Sequence, residues 1–273
     1  MKKIACLGPK GTYSDIASRK YLEKYPEYGI EYYPSIIKAI NEVNNDTIAI
    51  VPFENTLDGF VMETLDKIIS DNLTIRSQLN LDIDFAFISN CNDIKDVKEV
   101  YCQFKAYGQC LDFILNNDFN VIKTESNIDS FNRMLKSGIG FGAIVPNHVT
   151  VNLHMPLILR HIADSKNNET RFFVVDNNKN LNEIKDNYMA SVVITSVVDR
   201  PGILCEILEG FHNNKINLRS ILSRPDKTMM GKYNFFIEFN LAKAQKNDFY
   251  NLIDKYNSGK DFKVKVLGIY GEI

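Results

Sequence analysis

Three short segments combine polar side chains with the ends of predicted strands, and these are the candidate sites for chemistry. The first, residues 8–14, reads Gly-Pro-Lys-Gly-Thr-Tyr-Ser between a predicted strand and a predicted helix. Its glycines permit a tight turn, and the helix N-terminus with the Thr12 and Ser14 hydroxyls is suited to a carboxylate. A plain turn capped by Thr12 or Ser14 explains the segment equally simply. The glycine spacing does not predict a nucleotide site.

The second segment, residues 51–61, also follows a predicted strand, where ligand sites of α/β sheets tend to lie. It clusters the polar residues Glu54, Asn55, Thr56 and Asp58. Polar groups directly after a buried strand need partners, so Glu54 and Asn55 are candidates for function. The alternative is structural, with a turn at Asp58 and a cap at Thr56.

The third segment, residues 167–173, places Thr170 and Arg171 at the start of a predicted strand. Arginine binds carboxylates through a two-point fork, and a threonine hydroxyl can donate to an oxygen that is about to leave. A lone Thr-Arg pair is more often structural, so this segment alone does not establish a site.

The elements around these segments alternate between strand and helix patterns. Residues 3–7 and 47–51 read as strands followed by helices, which predicts an open α/β sheet. In the second helix Val61, Leu65 and Ile68 form one apolar stripe. Further strands are predicted at residues 81–88, 99–102, 140–145 and 171–175.

A second unit is predicted after a polar, asparagine-rich linker at residues 176–187. Its pattern is βαββαβ, which is the order of a ferredoxin-like fold. The predicted elements are strands at 189–197, 216–223, 233–239 and 262–269, and helices from Pro201-Gly202 and over 244–256.

Composition excludes several classes of function. The net charge is -2 over 273 residues, and no basic block predicts a nucleic-acid partner. No apolar run is long enough to span a bilayer and the N-terminus does not read as a signal peptide, so we expect a cytoplasmic protein without a membrane partner. The 5 cysteines contain no Cys-x-x-Cys pair and the histidines match no ligand spacing, so we expect reduced thiols and no metal.

Read together, the three segments resemble the prephenate dehydratase family, whose motifs are Gly-Pro-x-Gly-Thr-Phe-Ser, Glu-Asn-Ser-x-x-Gly and Asn-x-Thr-Arg-Phe. Ala106 with Gln109-Cys110 fits a further block of that family. Residues 201–204, 216–218, 223–225, 233–236 and 267–270 look like its ACT domain. The resemblance covers nearly the whole chain.

This resemblance implies a two-lobed, periplasmic-binding-protein-like catalytic region over residues 1–180 and a ferredoxin-like ACT regulatory domain over 188–273. Lobe one would contain residues 1 to about 76 and 158–180, and lobe two about 77–157. The implied reaction converts prephenate to phenylpyruvate without a cofactor. With no helical segment before Gly8, we expect no chorismate mutase unit in this sequence.

The resemblance also implies roles for individual residues. Thr170 would donate to the leaving hydroxyl, with Asn55 beside it and Glu54 as an acid or a supporting partner. The implied substrate contacts are Thr12, Thr56, Cys102, Gln109, Arg171 and Phe172.

Some positions depart from the family pattern. Ser-His-Pro-Gln appears as Cys102-Gln103-Phe104-Lys105, the serine after Glu-Asn is Thr56, and an expected histidine is Phe85. Cysteine donates more weakly than serine, whereas Lys105 adds a positive charge that suits a dianion.

In the ACT region the resemblance implies a phenylalanine site between paired domains, within a homodimer or homotetramer. The implied contacts are Gly202, Ile203, Leu204, Asn217 and Leu218. The alternative is an ACT unit that serves dimerisation alone.

Two other functions remain open from the sequence. Arogenate dehydratase runs the same elimination on an amino acid substrate. A non-catalytic sensor of an aromatic amino acid would use the fold without turnover.

Overall fold

Strands from both ends of the chain share one β-sheet, and strands from its middle form a second. The computed structural model describes residues 2–185, 188–198, 200–225 and 233–273. Within these residues the larger sheet has 10 strands and the smaller has 5.

The first part of the chain builds the core of lobe one. Its elements are β1 (Lys2–Leu7), α1 (Tyr13–Lys24), β2 (Tyr28–Tyr33), α2 (Ile36–Asn41), β3 (Thr47–Asn55), β4 (Gly59–Phe60), α3 (Met62–Ser70) and β5 (Thr74–Asp82). β1 pairs in parallel with β2 and β3, so the carboxyl ends of these strands meet at one edge of the sheet. In α3, Leu65 and Ile68 of the predicted stripe are buried against this sheet.

The middle of the chain forms lobe two around the smaller sheet. Its elements are β6 (Phe85–Ser89), β7 (Glu99–Gln103), α4 (Phe104–Gln109), α5 (Leu111–Asn116), β8 (Asn120–Thr124), α6 (Asn127–Lys136), β9 (Phe141–Pro146) and β10 (Leu157–Arg160). The strand order is β10-β6-β9-β7-β8. The chain then returns to lobe one as β11 (Glu169–Asp176), which lies between β3 and β5.

The two crossings between lobes lie later than the family resemblance implied. The single strand expected over residues 81–88 is two strands, because β5 ends at Asp82 in the first sheet and β6 begins at Phe85 in the second. The first crossing is therefore at residues 83–84 rather than near 77. The return follows Arg160, because β10 still pairs with β6.

The last part of the chain forms the predicted βαββαβ unit, and the predicted fold class is confirmed. Its elements are β12 (Tyr188–Ser196), α7 (Ile203–Asn213), β13 (Leu218–Pro225), β14 (Tyr233–Leu241), α8 (Lys246–Ser258) and β15 (Phe262–Glu272). Both helices pack on one face of the antiparallel order β13-β14-β12-β15.

The other face of this small sheet packs directly against lobe one. The rings of Phe236 and Phe53 lie 5.6 Å apart, and those of Tyr270 and Phe173 lie 5.4 Å apart. β15 also pairs in parallel with β5, and this pairing joins the strands of the βαββαβ unit to those of lobe one in the single 10-stranded sheet. Lobe one thus covers an apolar surface that would otherwise be exposed.

The predicted linker is tied to the body of the protein. Arg76 donates to the Asp176 carboxylate at 2.7 Å and also to the carbonyls of Asn178 and Asn180. Ile184 is buried in the core of the ACT unit. The linker's residues 186–187 lie outside the described residues.

Gly268 allows the close approach of β15 and β5. An alanine Cβ at this position would lie 2.3 Å from the Ile75 carbonyl oxygen, which is backbone and cannot move aside cheaply. We expect Gly268→Ala to lower the unfolding free energy by about 1–3 kcal/mol, as overpacking does. Gly138→Ala is the control, because that position has open space around it. Urea denaturation of both variants tests this, and an unchanged midpoint for Gly268→Ala would contradict it.

Candidate active site

Asn55 and Thr170 lie side by side where β3 and β11 pair. They are direct partners in the antiparallel register of these strands. Asn55 Nδ2 donates to Thr170 Oγ1 at 2.9 Å and to Asn168 Oδ1 at 2.7 Å. The structure thus brings two candidate residues from distant segments into direct contact.

The orientation of the Asn55 amide is fixed by the turn that follows it. The backbone N–H groups of Leu57 and Asp58 each donate to Asn55 Oδ1 at 3.0 Å. Because its oxygen accepts these bonds, the amide must present Nδ2 to Thr170. Thr170 Oγ1 therefore accepts, and among the described residues no hydrogen bond uses its proton. That proton is available to a ligand.

Gln109 joins this pair from lobe two. Asn168 Nδ2 donates to Gln109 Oε1 at 3.0 Å, and both side chains are buried. Asn55 donates to Asn168, and Asn168 donates in turn to Gln109. Gln109 therefore uses its oxygen in this directional chain of amides, and its Nε2 can donate to another acceptor. Lys105, also in lobe two, has its Nζ 3.6 Å from the carboxylate of Asp58. The site therefore offers hydrogen-bond donors and one cation across the junction of the lobes.

Arg171 does not face this site, which corrects its predicted role as a substrate contact. Side chains alternate along a strand, so Arg171 lies on the face of the sheet opposite Thr170. Its guanidinium is bound by Glu54 at 2.7 Å and by Glu238 at 2.6 and 2.8 Å, and the side chain is 4% exposed. Gln78 accepts a further bond at 3.3 Å. Glu54, expected near the reaction, is thus the partner of Arg171.

Two other predicted contacts are core residues. Phe172 is 1% exposed and packs with Ile4 and Leu79 beneath α1. Cys102 is fully buried in the core of lobe two, where burial raises the pKa of its thiol to about 12. Neither side chain is placed to touch a substrate.

Thr12 and Thr56 fill the structural roles that the sequence left open. Thr12 caps α1, and its hydroxyl donates to the Pro9 carbonyl at 3.0 Å. Thr56 donates to the Asn167 carbonyl at 3.1 Å and accepts from the Glu169 N–H at 3.0 Å. Thr56 therefore helps to hold the segment that carries Thr170.

His148 of lobe two contacts the turn that contains Gly11 in lobe one. Its Nε2 lies 3.0 Å from the Gly11 carbonyl oxygen, so Nε2 carries the proton and donates. The ring also meets Tyr13 edge-on at 5.2 Å. Burial lowers the pKa of His148 below its ordinary 6.5, although the Gly11 bond and the Asp15 charge act the other way.

The five predicted effector contacts form two groups in the ACT unit. Gly202, with a φ of +85°, begins α7 together with Ile203 and Leu204, whereas Asn217 and Leu218 follow its other end. The helix between them spans about 16 Å at 1.5 Å per residue. One chain therefore does not bring the two groups together.

The sequence interpretation missed three residues of this region, namely Asn168, Gln78 and Glu238. Asn168 begins the Asn-x-Thr-Arg-Phe motif, but the sequence did not predict a role for it. Glu238 is a lone carboxylate in the apolar strand Tyr233–Leu241, and that contrast was a signal for a buried partner.

Comparisons with known proteins find family models that match most of the chain. Residues 4–180 match the family model for prephenate dehydratase, and residues 191–240 match that for the ACT domain. The chain is 31% identical over 261 residues to the prephenate dehydratase of Methanocaldococcus jannaschii, which covers 91% of this chain and 95% of that protein.

Solved structures share the fold over almost the whole chain. The prephenate dehydratase of Staphylococcus aureus has a TM-score of 0.84 at 30% identity, covering 99% of this chain and 100% of that one. The prephenate dehydratase of Arthrobacter aurescens in complex with L-Phe has a TM-score of 0.83 at 24% identity, covering 99% and 90%.

Fold and site define the class as a two-lobed α/β enzyme followed by an ACT domain. With its family model matched over residues 4–180, the chain belongs to the prephenate dehydratase family. Among the helices of the described residues, none is both long and apolar enough to cross a membrane.

The His148 contact predicts a pH dependence of stability. Because the folded protein holds His148 neutral, the unfolded chain binds more protons as the pH falls below 6.5. The unfolding free energy should therefore decrease from pH 7 toward the lowered folded pKa. We expect a shallower decrease in His148→Gln, whose amide still donates to Gly11. Urea denaturation at several pH values measures both slopes, and equal slopes would contradict the assignment.

Proposed function

We propose that this protein converts prephenate to phenylpyruvate in the cytoplasm, with no cofactor, through Thr170 and Asn55. The observation that carries the assignment of residues is the 2.9 Å bond from Asn55 to Thr170, which leaves the threonine proton for the substrate. Membership of the prephenate dehydratase family supports the reaction.

The chemistry asks little of the protein beyond placement of donors. The bond from the ring carbon to the hydroxyl breaks, and the ring carboxylate leaves as carbon dioxide. The electrons of the bond between the ring and this carboxylate enter the ring, which becomes aromatic. The hydroxyl takes up one proton and leaves as water. Thr170 donates a hydrogen bond to this departing oxygen and stabilises the charge that develops there. A hydroxyl is a weak acid, so water supplies the proton in the end.

Groups from both lobes hold the substrate. Gln109 Nε2 donates to the side-chain carbonyl of prephenate, and Lys105 offsets the charge of the dianion. Asn55 holds the Thr170 side chain in place through its bond to Oγ1. Holding the substrate and these groups in the right geometry raises the rate in the same way as a high effective concentration of the groups around the substrate.

Removing the Thr170 hydroxyl tests the proposal. We expect Thr170→Val, which keeps the side-chain shape, to lose about 10²- to 10⁴-fold in kcat. Thr170→Ser keeps the hydroxyl and should retain most of the activity. Phenylpyruvate formation, followed by its enol absorbance in alkali, is the measurement.

Wild-type protein that forms no more phenylpyruvate than buffer would overturn the proposed reaction. Equal rates for Thr170→Val and wild type would overturn the role of the hydroxyl. Tight phenylalanine binding by calorimetry, without turnover of any substrate, would instead identify a sensor.

The directional amide chain favours prephenate over arogenate. Gln109 Oε1 already accepts from Asn168, so Nε2 is free to donate to a keto group, whereas an ammonium would have to share the remaining lone pair of Oε1. A site built around a hydrogen bond discriminates strongly, and we expect kcat/KM to favour prephenate by at least about 10-fold. A preference for arogenate would show that Gln109 does not contact the side chain.

For regulation, we propose that phenylalanine binds between the ACT units of two copies of this chain. The separation of Gly202 from Asn217 along α7 supports a site completed by a second chain. β13 pairs on one side only within the described residues, and Leu204, Leu208 and Ile221 are 36–39% exposed. A homodimer or homotetramer would cover these apolar side chains. The Arthrobacter aurescens protein, which shares the fold, was solved with L-Phe.

Subunit mixing tests this shared site. Leu204→Lys and Asn217→Lys alter exposed positions, and each variant alone should lose phenylalanine binding. In a twofold-symmetric pair, mixed dimers carry one intact site, so random mixing should restore about a quarter of the sites. Calorimetry on single and mixed samples measures this. Binding by either variant alone, or no recovery on mixing, would contradict a shared site.

A further inference from the structure

Glu238 is a buried carboxylate of the ACT unit that faces lobe one. It lies on β14, its side chain is 0% exposed, and it is bound by groups from several strands. Arg171 donates to both carboxylate oxygens at 2.6 and 2.8 Å, and Tyr270 Oη donates at 2.6 Å. Ser220 Oγ lies 3.5 Å away. A charge buried this deeply requires such partners.

The fork from Glu238 fixes Arg171 from one side while Glu54 fixes it from the other. Glu54 accepts from Nη2 at 2.7 Å, and the aromatic rings of Phe53 and Phe173 lie 5.1 and 5.3 Å from the guanidinium carbon. Arg171 Nε is buried and has no partner among the described residues. The arginine is therefore held by its two terminal nitrogens, and Glu238 supplies one acceptor to each.

This ion pair lies one residue from the catalytic pair. In the register of β3 and β11, Arg171 opposes Glu54 and Thr170 opposes Asn55. The regular pairing of the two strands is interrupted immediately after Arg171, where a bulge shifts the register. A bulge locally disrupts the hydrogen-bonded ladder and bends the strand, and bulges beside active sites can change the direction of a side chain. The Glu54–Arg171 bond therefore joins the two strands between this bulge and the Asn55–Thr170 pair.

We infer that Glu238 is a positioning residue for catalysis, through which the ACT unit fixes Arg171 and thereby aims the Thr170 hydroxyl. The inference depends on the proposed function, because it assigns Thr170 the central role. Its consequence is that a displacement of Glu238 on β14 would reach Thr170 through Arg171.

Neutralising Glu238 tests the inference in the full-length protein. Glu238→Gln keeps the shape but removes the charge that holds Arg171. We expect kcat for prephenate to fall by about 10- to 100-fold with KM little changed, because a small misplacement of a reacting group has effects of this size. Circular dichroism establishes that the variant is folded at the assay temperature.

A second variant keeps the charge, so that the test does not depend on the folding of Glu238→Gln. Glu238→Asp withdraws the carboxylate by one methylene, and we expect a smaller fall in kcat, about 3- to 10-fold. Wild-type kcat in a folded Glu238→Gln or in Glu238→Asp would overturn the inference.

Non-additivity separates positioning from a general structural effect. In a Thr170→Val background the group that Glu238 aims is missing, so adding Glu238→Gln should change kcat by less than about twofold. If instead the two losses multiply, Glu238 acts independently of Thr170 and the inference is wrong.

Asp66→Asn is the matched control. Asp66 on α3 pairs with Arg224 of β13 at 2.8 and 3.2 Å, so this substitution also neutralises an ion pair between the ACT unit and lobe one. Its side chain is 25% exposed, and we expect kcat to stay within about twofold of wild type. A fall equal to that of Glu238→Gln would mean that any weakening of the interface lowers activity, and would overturn the specific role of Glu238.

Failure of the inference is distinguishable from failure of the proposed function. If wild-type protein does not convert prephenate, the proposed function and the inference about Glu238 are both wrong. If wild type is active and the Glu238 variants match it, only the inference falls.

Discussion

Residues adjacent in a β-strand face opposite sides of the sheet, and at the start of β11 this constraint separates two tasks. Thr170 faces the junction of the lobes, where Asn55 donates to its oxygen at 2.9 Å. Arg171 faces the ACT unit and is enclosed by two carboxylates. A motif that reads as one substrate-binding unit in sequence therefore lies on two surfaces, one where we propose that the reaction occurs and one at the contact between domains.

The hydrogen bonds of Asn55, Asn168 and Gln109 fix the orientation of each side-chain amide. The Asn55 oxygen is held by two backbone amides, and Asn168 passes the same direction on to Gln109. The donors left over, the Thr170 hydroxyl and Gln109 Nε2, belong to residues of different lobes. Preorganisation of this kind matters for an elimination driven by aromatisation, because the protein stabilises developing charge on oxygen and needs no strong acid.

Most elements were predictable from the sequence because the periodicities of strands and helices differ, as in the stripe on α3 and the βαββαβ order. β5 was missed in part because polar residues such as Gln78 interrupt its apolar pattern, and they do so to reach the Arg171 network. The meeting of Asn55, Thr170 and Gln109 followed from the family resemblance and not from spacing, since it depends on long-range pairing. The position of Arg171 was predictable in principle, because strand alternation already excludes two neighbours from one site.

The central claim is that the Thr170 hydroxyl, and not the Arg171 guanidinium, meets the substrate. A crystal structure with a ring-reduced prephenate analogue, which keeps both carboxylates and the hydroxyl but cannot aromatise, tests it most directly. The account predicts that the analogue's hydroxyl oxygen lies about 2.6–3.2 Å from Thr170 Oγ1, with Gln109 near the side-chain carbonyl. An analogue carboxylate bound to Arg171, or an analogue bound away from Asn55 and Thr170, would contradict it.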